Sequence, residues 1–126
     1  MKISLLIPVC DYDIIALVHS MKSAMGKVPE FCEILIGDDG SKMEYREKYL
    51  SLEGPGVRLV ISEKNIGRAA IRNRLALEAT GDYLIFIDAD TMLTGTAEVY
   101  MLAWLPFLKS ATPGQILPDR LQNEIS

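Results

Sequence analysis

The chain has 126 residues, of which 49% are hydrophobic and 24% charged, and its formal net charge is −4. This length and balance are typical of one folded globular domain and exclude a disordered chain. The negative charge argues against a nucleic-acid-binding protein, because such proteins present a basic face. No apolar run is long enough to cross a membrane, and the amino terminus does not resemble a signal peptide. The sequence therefore predicts a cytoplasmic protein.

Four short apolar segments rich in β-branched residues alternate with segments of helical spacing. Polar and apolar residues do not alternate within the apolar segments, which indicates parallel strands covered on both faces. The predicted strands are 3–9, 33–37, 57–62 and 83–87. The predicted helices are 14–25, 43–52 and 71–79, and glycine or proline follows closely after each. This order predicts an α/β fold, doubly wound, with a mainly parallel sheet and flanking helices.

The two cysteines are expected to be free thiols. Cys10 follows the first predicted strand and Cys32 comes just before the second, so parallel strands would place them at opposite edges of the sheet. Their separation would be roughly 20 Å at about 3.3 Å per residue. A disulfide allows at most about 7 Å between the two Cα atoms.

Acidic residues follow three of the predicted strands, at the sheet edge where open α/β folds bind ligands. After the first strand, Asp11 either faces a ligand or, like Asp13, caps the first helix, and taken alone the cap is the better interpretation. After the second strand, Asp38 and Asp39 are either turn-forming residues or hydrogen-bond acceptors for a base or a ribose.

Asp88 and Asp90 follow the last predicted strand and are separated by one residue. Two carboxylates so close together repel each other unless a cation or a proton intervenes. Carboxylate oxygens are typical ligands of hard divalent cations, whose remaining positions phosphate oxygens can fill. Because Asp38 and Asp39 should meet them at the same edge of the sheet, the sequence favours a functional site there.

Two arginines near the start of the third helix need partners from elsewhere in the fold. Asn65 is the predicted N-cap, which places Arg68 and Arg72 in the first turns, where a cation opposes the helix dipole. Neither arginine has an acidic residue three or four positions away. Their expected partners are the strand-end aspartates or an anionic ligand such as a diphosphate.

Four segments occur in a specific order: ISLLIPV from Ile3, IGDDGS from Ile36, NIGRAAIRN from Asn65 and GDYLIFIDAD from Gly81. Together they resemble the nucleotide-sugar-binding half of family 2 glycosyltransferases, which have the GT-A fold. The resemblance covers about the first hundred residues. It implies a nucleoside diphosphate sugar donor, most often a UDP-sugar, a Mg²⁺ or Mn²⁺ ion, and inverting transfer to an acceptor that the sequence does not identify.

The resemblance also implies roles for individual residues. The implied nucleotide-sugar-binding residues are Pro8, Val9, Cys10, Asp11, Asp38, Asp39, Arg68, Arg72 and Asp88. The implied metal ligands are Asp90, as the principal one, and Asp88. Within this set, Asp39 would bind the base while Asp38 shapes the turn. Family members often have tyrosine and asparagine where this chain has Cys10 and Asp11.

The last part of the chain is expected to differ from the rest. We expect residues 1–96 to form the nucleotide-sugar-binding α/β domain, and 97–126 to form an apolar helix and a tail. This segment belongs either to the same domain or to the beginning of an acceptor half that the chain lacks, and no catalytic base is identified. Since residues 97–108 are apolar on every face, the sequence predicts a homo-oligomer through this helix.

Three alternatives remain open. A truncated nucleotide-sugar-binding or assembly module without turnover would contain the same motifs. A receiver-type signalling domain also uses an acidic pair and a later aspartate, but Asp90 and the strand before the pair argue against it. A nucleotidyltransferase of related topology would need a glycine-rich loop after the first strand, and this chain has none there.

Overall fold

The computed structural model describes residues 2–90. Its elements are β1 (Ile3–Val9), α1 (Ile15–Met25), β2 (Phe31–Asp39), α2 (Met43–Leu52), β3 (Val57–Ser62), α3 (Arg68–Glu78) and β4 (Tyr83–Phe86). Within residues 2–90 the predicted strands and helices are confirmed in number, type and order. The strand β2 is longer than predicted, and α3 begins at Arg68, before the first residue of its apolar pattern but after the predicted N-cap. The predicted apolar helix at 97–108, the oligomer contact assigned to it, and the domain boundary after residue 96 lie outside the described residues.

The four strands form one parallel sheet in the order β3-β2-β1-β4. The first strand therefore lies in the interior of the sheet, between β2 on one side and β4 on the other. In chain order, β2 and β3 lie successively further out on one side of β1, and β4 then pairs with the other side of β1. The strand order therefore reverses between β1 and β4. In open α/β sheets, ligands bind at the carboxyl ends of the strands beside such a reversal.

Helices cover both faces of the sheet, which confirms the doubly wound α/β architecture. One core contains alternate β1 residues together with α1 and α2, and its members include Leu5, Ile7, Val18, Met21, Tyr49 and Leu52. The core on the opposite face contains Leu6, Leu35, Val60 and Leu75 of α3. No helix in the described part of the chain is long and apolar enough to span a membrane.

Gly37 allows α3 to pack directly on the backbone of β2. A Cβ atom at this position would lie 2.7 Å from Cδ1 of Leu75, a side chain that is fully buried. The missing side chain therefore brings α3 close to the sheet, next to the point where β2 ends. The segment before α3 approaches the turn after β2 at Gly40, where a Cβ atom would lie 2.4 Å from Asn65 N. Both cysteines are free thiols, as predicted.

A polar network lies at the amino-terminal edge of the sheet. Oε2 of Glu33 accepts hydrogen bonds from Ser4 Oγ at 2.6 Å and from Thr80 N at 2.7 Å, and Ser4 Oγ accepts one from Gly81 N at 2.9 Å. Burial alone would raise the pKa of Glu33. The hydrogen bonds from Ser4 and Thr80, with the charge of Arg58, outweigh burial and hold this pKa below its usual value of 4.5.

We expect Glu33→Gln to weaken the dependence of stability on acidic pH. Because the pKa of Glu33 is lower in the folded than in the unfolded chain, its contribution to stability is present above pH 4.5. It is lost as the pH falls through the folded pKa. Urea unfolding between neutral and acidic pH would measure this, with Glu47→Gln on the exposed face of α2 as the control. Equal slopes for the wild type and Glu33→Gln would contradict the prediction.

Candidate functional site

A cavity of about 430 Å³ lies at the carboxyl edge of the sheet, where the ends of β1 and β4 meet. The predicted site residues that line it are Pro8, Val9, Cys10, Asp39, Arg68, Asp88 and Asp90. The predicted residues that do not line it are Asp11, Asp38 and Arg72. Five residues that were not predicted as site residues also line the cavity: Tyr12, Asn65, Gly67, Ile71 and Ala89. The cavity therefore occupies the position that the strand order favours for a ligand.

Asp39 links the end of β2 to the start of α3. Its Oδ1 accepts a hydrogen bond from Ile66 N at 2.7 Å, and its Oδ2 accepts one from Gly67 N at 3.2 Å. Only 5% of the residue is exposed. Since each carboxylate oxygen has two lone pairs, both oxygens keep capacity for a ligand in the cavity. Asp39 can therefore support the loop and contact a ligand at once.

The prediction that Asn65 caps α3 is wrong. The helix begins at Arg68 with Gly67 as its N-cap residue, and Gly67 has φ +96°, which glycine adopts without strain. Nδ2 of Asn65 instead donates to the backbone oxygen of Asp39 at 3.1 Å. The carboxylate of Asp39 accepts hydrogen bonds from the backbone amides just before α3. A residue of β2 therefore takes the place of a local capping side chain.

Asp38 lies on the opposite side of β2 from Asp39, because neighbouring residues of a strand point to opposite faces. It is fully buried, and its Oδ2 accepts a hydrogen bond from Nε of Arg46 at 2.7 Å. Its Oδ1 accepts one from Ser41 N at 2.9 Å, which closes the turn after β2. The two adjacent acids therefore have different environments, and Asp38 supports the turn from the α2 side.

Asp11 also points away from the cavity towards α2. Its φ is +51°, its N–H donates to Ser41 Oγ at 3.0 Å, and its Oδ1 accepts from Lys42 N at 2.7 Å. Of the two residues considered as caps for α1, Asp13 accepts a hydrogen bond from Ile15 N at 3.0 Å. This bond, together with one from Lys48, lowers the pKa of Asp13.

Tyr12 is held through its backbone by the buried side chain of Tyr49. The hydroxyl of Tyr49 accepts a hydrogen bond from Tyr12 N at 3.1 Å and donates one to Tyr12 O at 2.7 Å. Burial raises the pKa of Tyr49, so the hydroxyl keeps the proton that it donates. The side chain of Tyr12 takes no part in this contact, and Tyr12 is 47% exposed.

The two arginines of α3 have different partners. Arg68 forms an ion pair with Asp88, with 2.8 Å between Nη2 and Oδ1, and both residues line the cavity. A strand-end aspartate was one of the two kinds of partner expected from the sequence, the other being an anionic ligand. The guanidinium of Arg72 lies 4.4 Å from the centre of the Phe86 ring, a cation–π contact that the sequence did not indicate. Both arginines also line a second, shallow cavity that shares Arg68 with the first.

Asp88 and Asp90 can provide oxygen ligands to a metal ion. Both line the cavity after β4, and the side chain of Asp88 is 25% exposed while Asp90 is exposed. Within residues 2–90 there is no group of three or more His, Cys, Asp or Glu side chains arranged around one metal position. The two carboxylates have the oxygen chemistry that suits a hard cation, whose other ligands phosphate or water can provide.

Solved structures resemble this fold. They include crystal structures of S. aureus TarS 1-349 (TM-score 0.58, 20% identity), S. aureus TarS (0.56, 22%) and TarS 1-349 in complex with UDP (0.54, 21%). Each match covers 94% of this chain, but only 38%, 23% and 38% of the respective TarS chains. At such identities the likeness concerns the fold. This chain spans well under half the length of the structures that it matches.

The sequence was also compared with curated protein sequences and with models of protein families. No curated protein sequence matches this chain. The model of the family "Glycosyl transferase family 2" matches residues 4–102, which include β1 except its first residue, all of β2 to β4 and every residue of the cavity. The predicted family resemblance is confirmed: this protein belongs to glycosyl transferase family 2.

Proposed function

We propose that this protein is a glycosyltransferase domain that binds a nucleoside diphosphate sugar, with a UDP-sugar as the donor. The observation that carries the proposal is that Asp39, Asp88 and Asp90 meet at one cavity between strand ends. A nucleoside diphosphate needs a polar contact for its base and charge compensation for its phosphates. Family membership supports the proposal, as does the UDP complex among the similar structures.

The strand order suggests how the donor lies in the cavity. Asp39 is the last residue of β2 on one side of β1, whereas Asp88 and Asp90 follow β4 on the other side. The apolar residues Val9 and Ile71 also line the cavity. We assign the base to the Asp39 side, where an imide N–H can donate to the carboxylate. The diphosphate then extends past the end of β1 towards Asp88.

Asp90 and Asp88 are the residues that would hold a Mg²⁺ or Mn²⁺ ion. Bound there, the ion would act as a Lewis acid for the diphosphate leaving group. Arg68 balances the charge of Asp88 through their ion pair at 2.8 Å. Its side chain is 68% exposed, so it is free to turn towards a phosphate while Asp88 turns towards the cation. Arg68 thereby keeps positive charge beside the diphosphate.

Inverting transfer is part of the proposal because the family resemblance implies it. It requires a base beside the acceptor hydroxyl, and we assign that role to no residue of the described part. Binding without turnover is the second candidate function, since it needs only the donor cavity. A transfer assay with added acceptors separates the two candidates, whereas nucleotide binding is common to both.

Thermal unfolding with UDP, GDP and ADP, each with and without Mn²⁺, tests the donor site. We expect UDP with Mn²⁺ to stabilise the fold by about 2.7 kcal/mol at a concentration of about one hundred times its Kd. Asp90→Asn should abolish the contribution of Mn²⁺ because the principal ligand is lost. Asp82→Asn is the matched control, since Asp82 lies before β4, at the opposite edge of the sheet. Absence of a shift with every nucleotide would refute the proposal.

A further inference from the structure

The ion pair between Arg68 and Asp88 lies inside the cavity of the protein without ligand. Nη2 of Arg68 is 2.8 Å from Oδ1 of Asp88. Arg68 is the only basic residue among those that line the cavity in the described part of the chain, and three aspartates line it as well. One of the two carboxylates assigned to a cation is therefore already paired with a positive charge.

The backbone positions of both partners are fixed by the fold. Arg68 is the first residue of α3, and the two residues before it donate their backbone N–H groups to the carboxylate of Asp39. Asp88 directly follows Ile87, which is buried and donates its N–H to Leu6 O of β1 at 2.8 Å. The ion pair therefore joins the start of α3 to the end of β4, and a change of side-chain rotamers is enough to separate it.

The contact is weak enough to be exchanged for another. It is one hydrogen bond from one guanidinium nitrogen, without the bidentate geometry of the strongest arginine–carboxylate pairs. The side chain of Arg68 is 68% exposed and that of Asp88 is 25% exposed, so the arginine is the more mobile partner. Exposed ion pairs contribute little to stability, and the dipole of α3 disfavours a cation in its first turn.

The ion pair uses negative charge that a metal ion would need. A divalent cation at Asp88 and Asp90 has to displace the guanidinium or share Asp88 with it, and either reduces the affinity for the cation. A nucleoside diphosphate changes this balance, because its phosphate oxygens offer Arg68 another anionic partner and offer the cation further ligands. Once the guanidinium contacts a phosphate, both oxygens of Asp88 are available to the cation.

We propose that Arg68 makes metal binding depend on nucleotide binding: its guanidinium holds Asp88 in the free protein and exchanges this carboxylate for the phosphates of the bound donor. Arg68 is thus a positioning residue that acts on the cation through Asp88. The inference rests on the proposed function, since it names a residue that regulates the same site. Because coupling between two ligands is reciprocal, the metal raises the affinity for the nucleotide by the same factor.

Titration with Mn²⁺ alone, followed by the electron paramagnetic resonance signal of the free ion, tests the competition for Asp88. Arg68→Gln should bind Mn²⁺ about fivefold more tightly than the wild type, the factor that corresponds to an exposed ion pair of about 1 kcal/mol. Arg68→Lys keeps a cation beside Asp88 and should bind Mn²⁺ as weakly as the wild type. Arg74→Gln removes the same charge from the exposed face of α3 and is the control, with unchanged affinity.

An Asp88→Asn background separates this exchange from a general effect of charge. In that background Arg68→Gln should not change the Mn²⁺ affinity, because the carboxylate for which the guanidinium and the cation compete is absent. The factor by which UDP raises the Mn²⁺ affinity should also be about fivefold smaller in Arg68→Gln than in the wild type. UDP without metal should bind Arg68→Gln more weakly, because the phosphates lose their cation.

The outcomes distinguish the inference from the proposed function. Equal Mn²⁺ affinities for the wild type and Arg68→Gln, including no binding to either, overturn the exchange. The proposed function still stands in that case if UDP with Mn²⁺ stabilises the wild type. An equal gain from Arg68→Gln with and without Asp88 also overturns the exchange, because loss of a positive charge would then be the whole cause. A wild type that binds no nucleotide overturns the proposed function, and the coupling with it.

Discussion

Arg46→Met is expected to lower the free energy of unfolding by about 3–5 kcal/mol, the usual cost of removing one partner of a buried ion pair. Arg46 is 8% exposed and donates to Asp38, Glu63 and the backbone oxygen of Ser62. The hydrogen bond to Asp38 raises the pKa of Arg46, so the guanidinium keeps its charge. Methionine would leave the fully buried Asp38 without its counter-charge.

Urea unfolding of four variants measures this effect: Arg46→Met, Asp38→Asn, the double variant and the control Arg74→Met. Arg74→Met on the exposed face of α3 is the matched control and should change stability by less than about 0.5 kcal/mol. Adding Asp38→Asn to Arg46→Met should recover part of the loss, because the neutral amide no longer needs a counter-charge. The prediction fails if Arg46→Met is as stable as the control, or if the double variant shows the sum of the two single losses.

The second large effect is expected for Asp39→Asn, which should change both stability and ligand binding. An asparagine has one acceptor oxygen where Asp39 serves Ile66 N and Gly67 N with two. One partly buried amide should lose its acceptor, which costs about 1–3 kcal/mol. UDP affinity should fall as well, because Asp39 lines the cavity at the proposed base position.

Asp38→Asn, one residue earlier in β2, is the matched comparison for Asp39→Asn. The chemical change is identical and we expect it to destabilise the fold, but Asp38 faces α2 and does not line the cavity. The folded fraction of Asp38→Asn should therefore bind UDP with wild-type affinity, whereas that of Asp39→Asn should bind more weakly. Titration at a temperature where both variants are folded makes the comparison. Equal UDP affinities for the two variants would show that Asp39 acts only as a support for the loop.

The elements of the fold could be predicted because local signals agree with the tertiary structure. Continuous apolar runs mark buried parallel strands, and glycine or proline separates them from the helices. Parallel strands also bring their carboxyl ends to one edge of the sheet, so residues that directly follow them meet there. For this reason the pattern along the chain is enough to predict that Asp39, Asp88 and Asp90 lie close together.

The local rules fail where a distant residue replaces a local one. Asn65 has the chemistry of an N-cap, but the acceptor for the amides before α3 comes from Asp39, 27 positions before Ile66. Likewise, a hydroxyl 37 positions away holds Tyr12, so nothing in the sequence near Tyr12 shows that its backbone is fixed. Such contacts depend on how α2 and α3 pack on the sheet, which periodicity alone does not determine.

For the adjacent residues Asp38 and Asp39, too, the sequence predicts only part of the arrangement. The alternation of a strand predicts that Asp38 and Asp39 point to opposite faces. It does not predict which face carries the ligand, because that depends on where α3 begins. The partner of Arg72 could not be predicted either, because its contact with the Phe86 ring depends on how α3 packs beside β4. An exposed aromatic residue within three positions of a strand end, such as Tyr12, is a signal that could have been used.

Because β1 lies in the interior of the sheet, it can be paired on both sides only late in synthesis. β1 pairs with β4 through Ile3 and Tyr83, so one side of the first strand stays open until nearly all of the described chain has been synthesised. An unpaired strand edge is a template for aggregation, and pairing over such a distance is slow. Asp88 and Asp90 directly follow β4 in the sequence, and β4 is the strand that pairs with the open side of β1. The carboxylates of Asp88 and Asp90 therefore reach the cavity only when β1 is paired on both sides, so the cavity is complete only after this long-range pairing has formed.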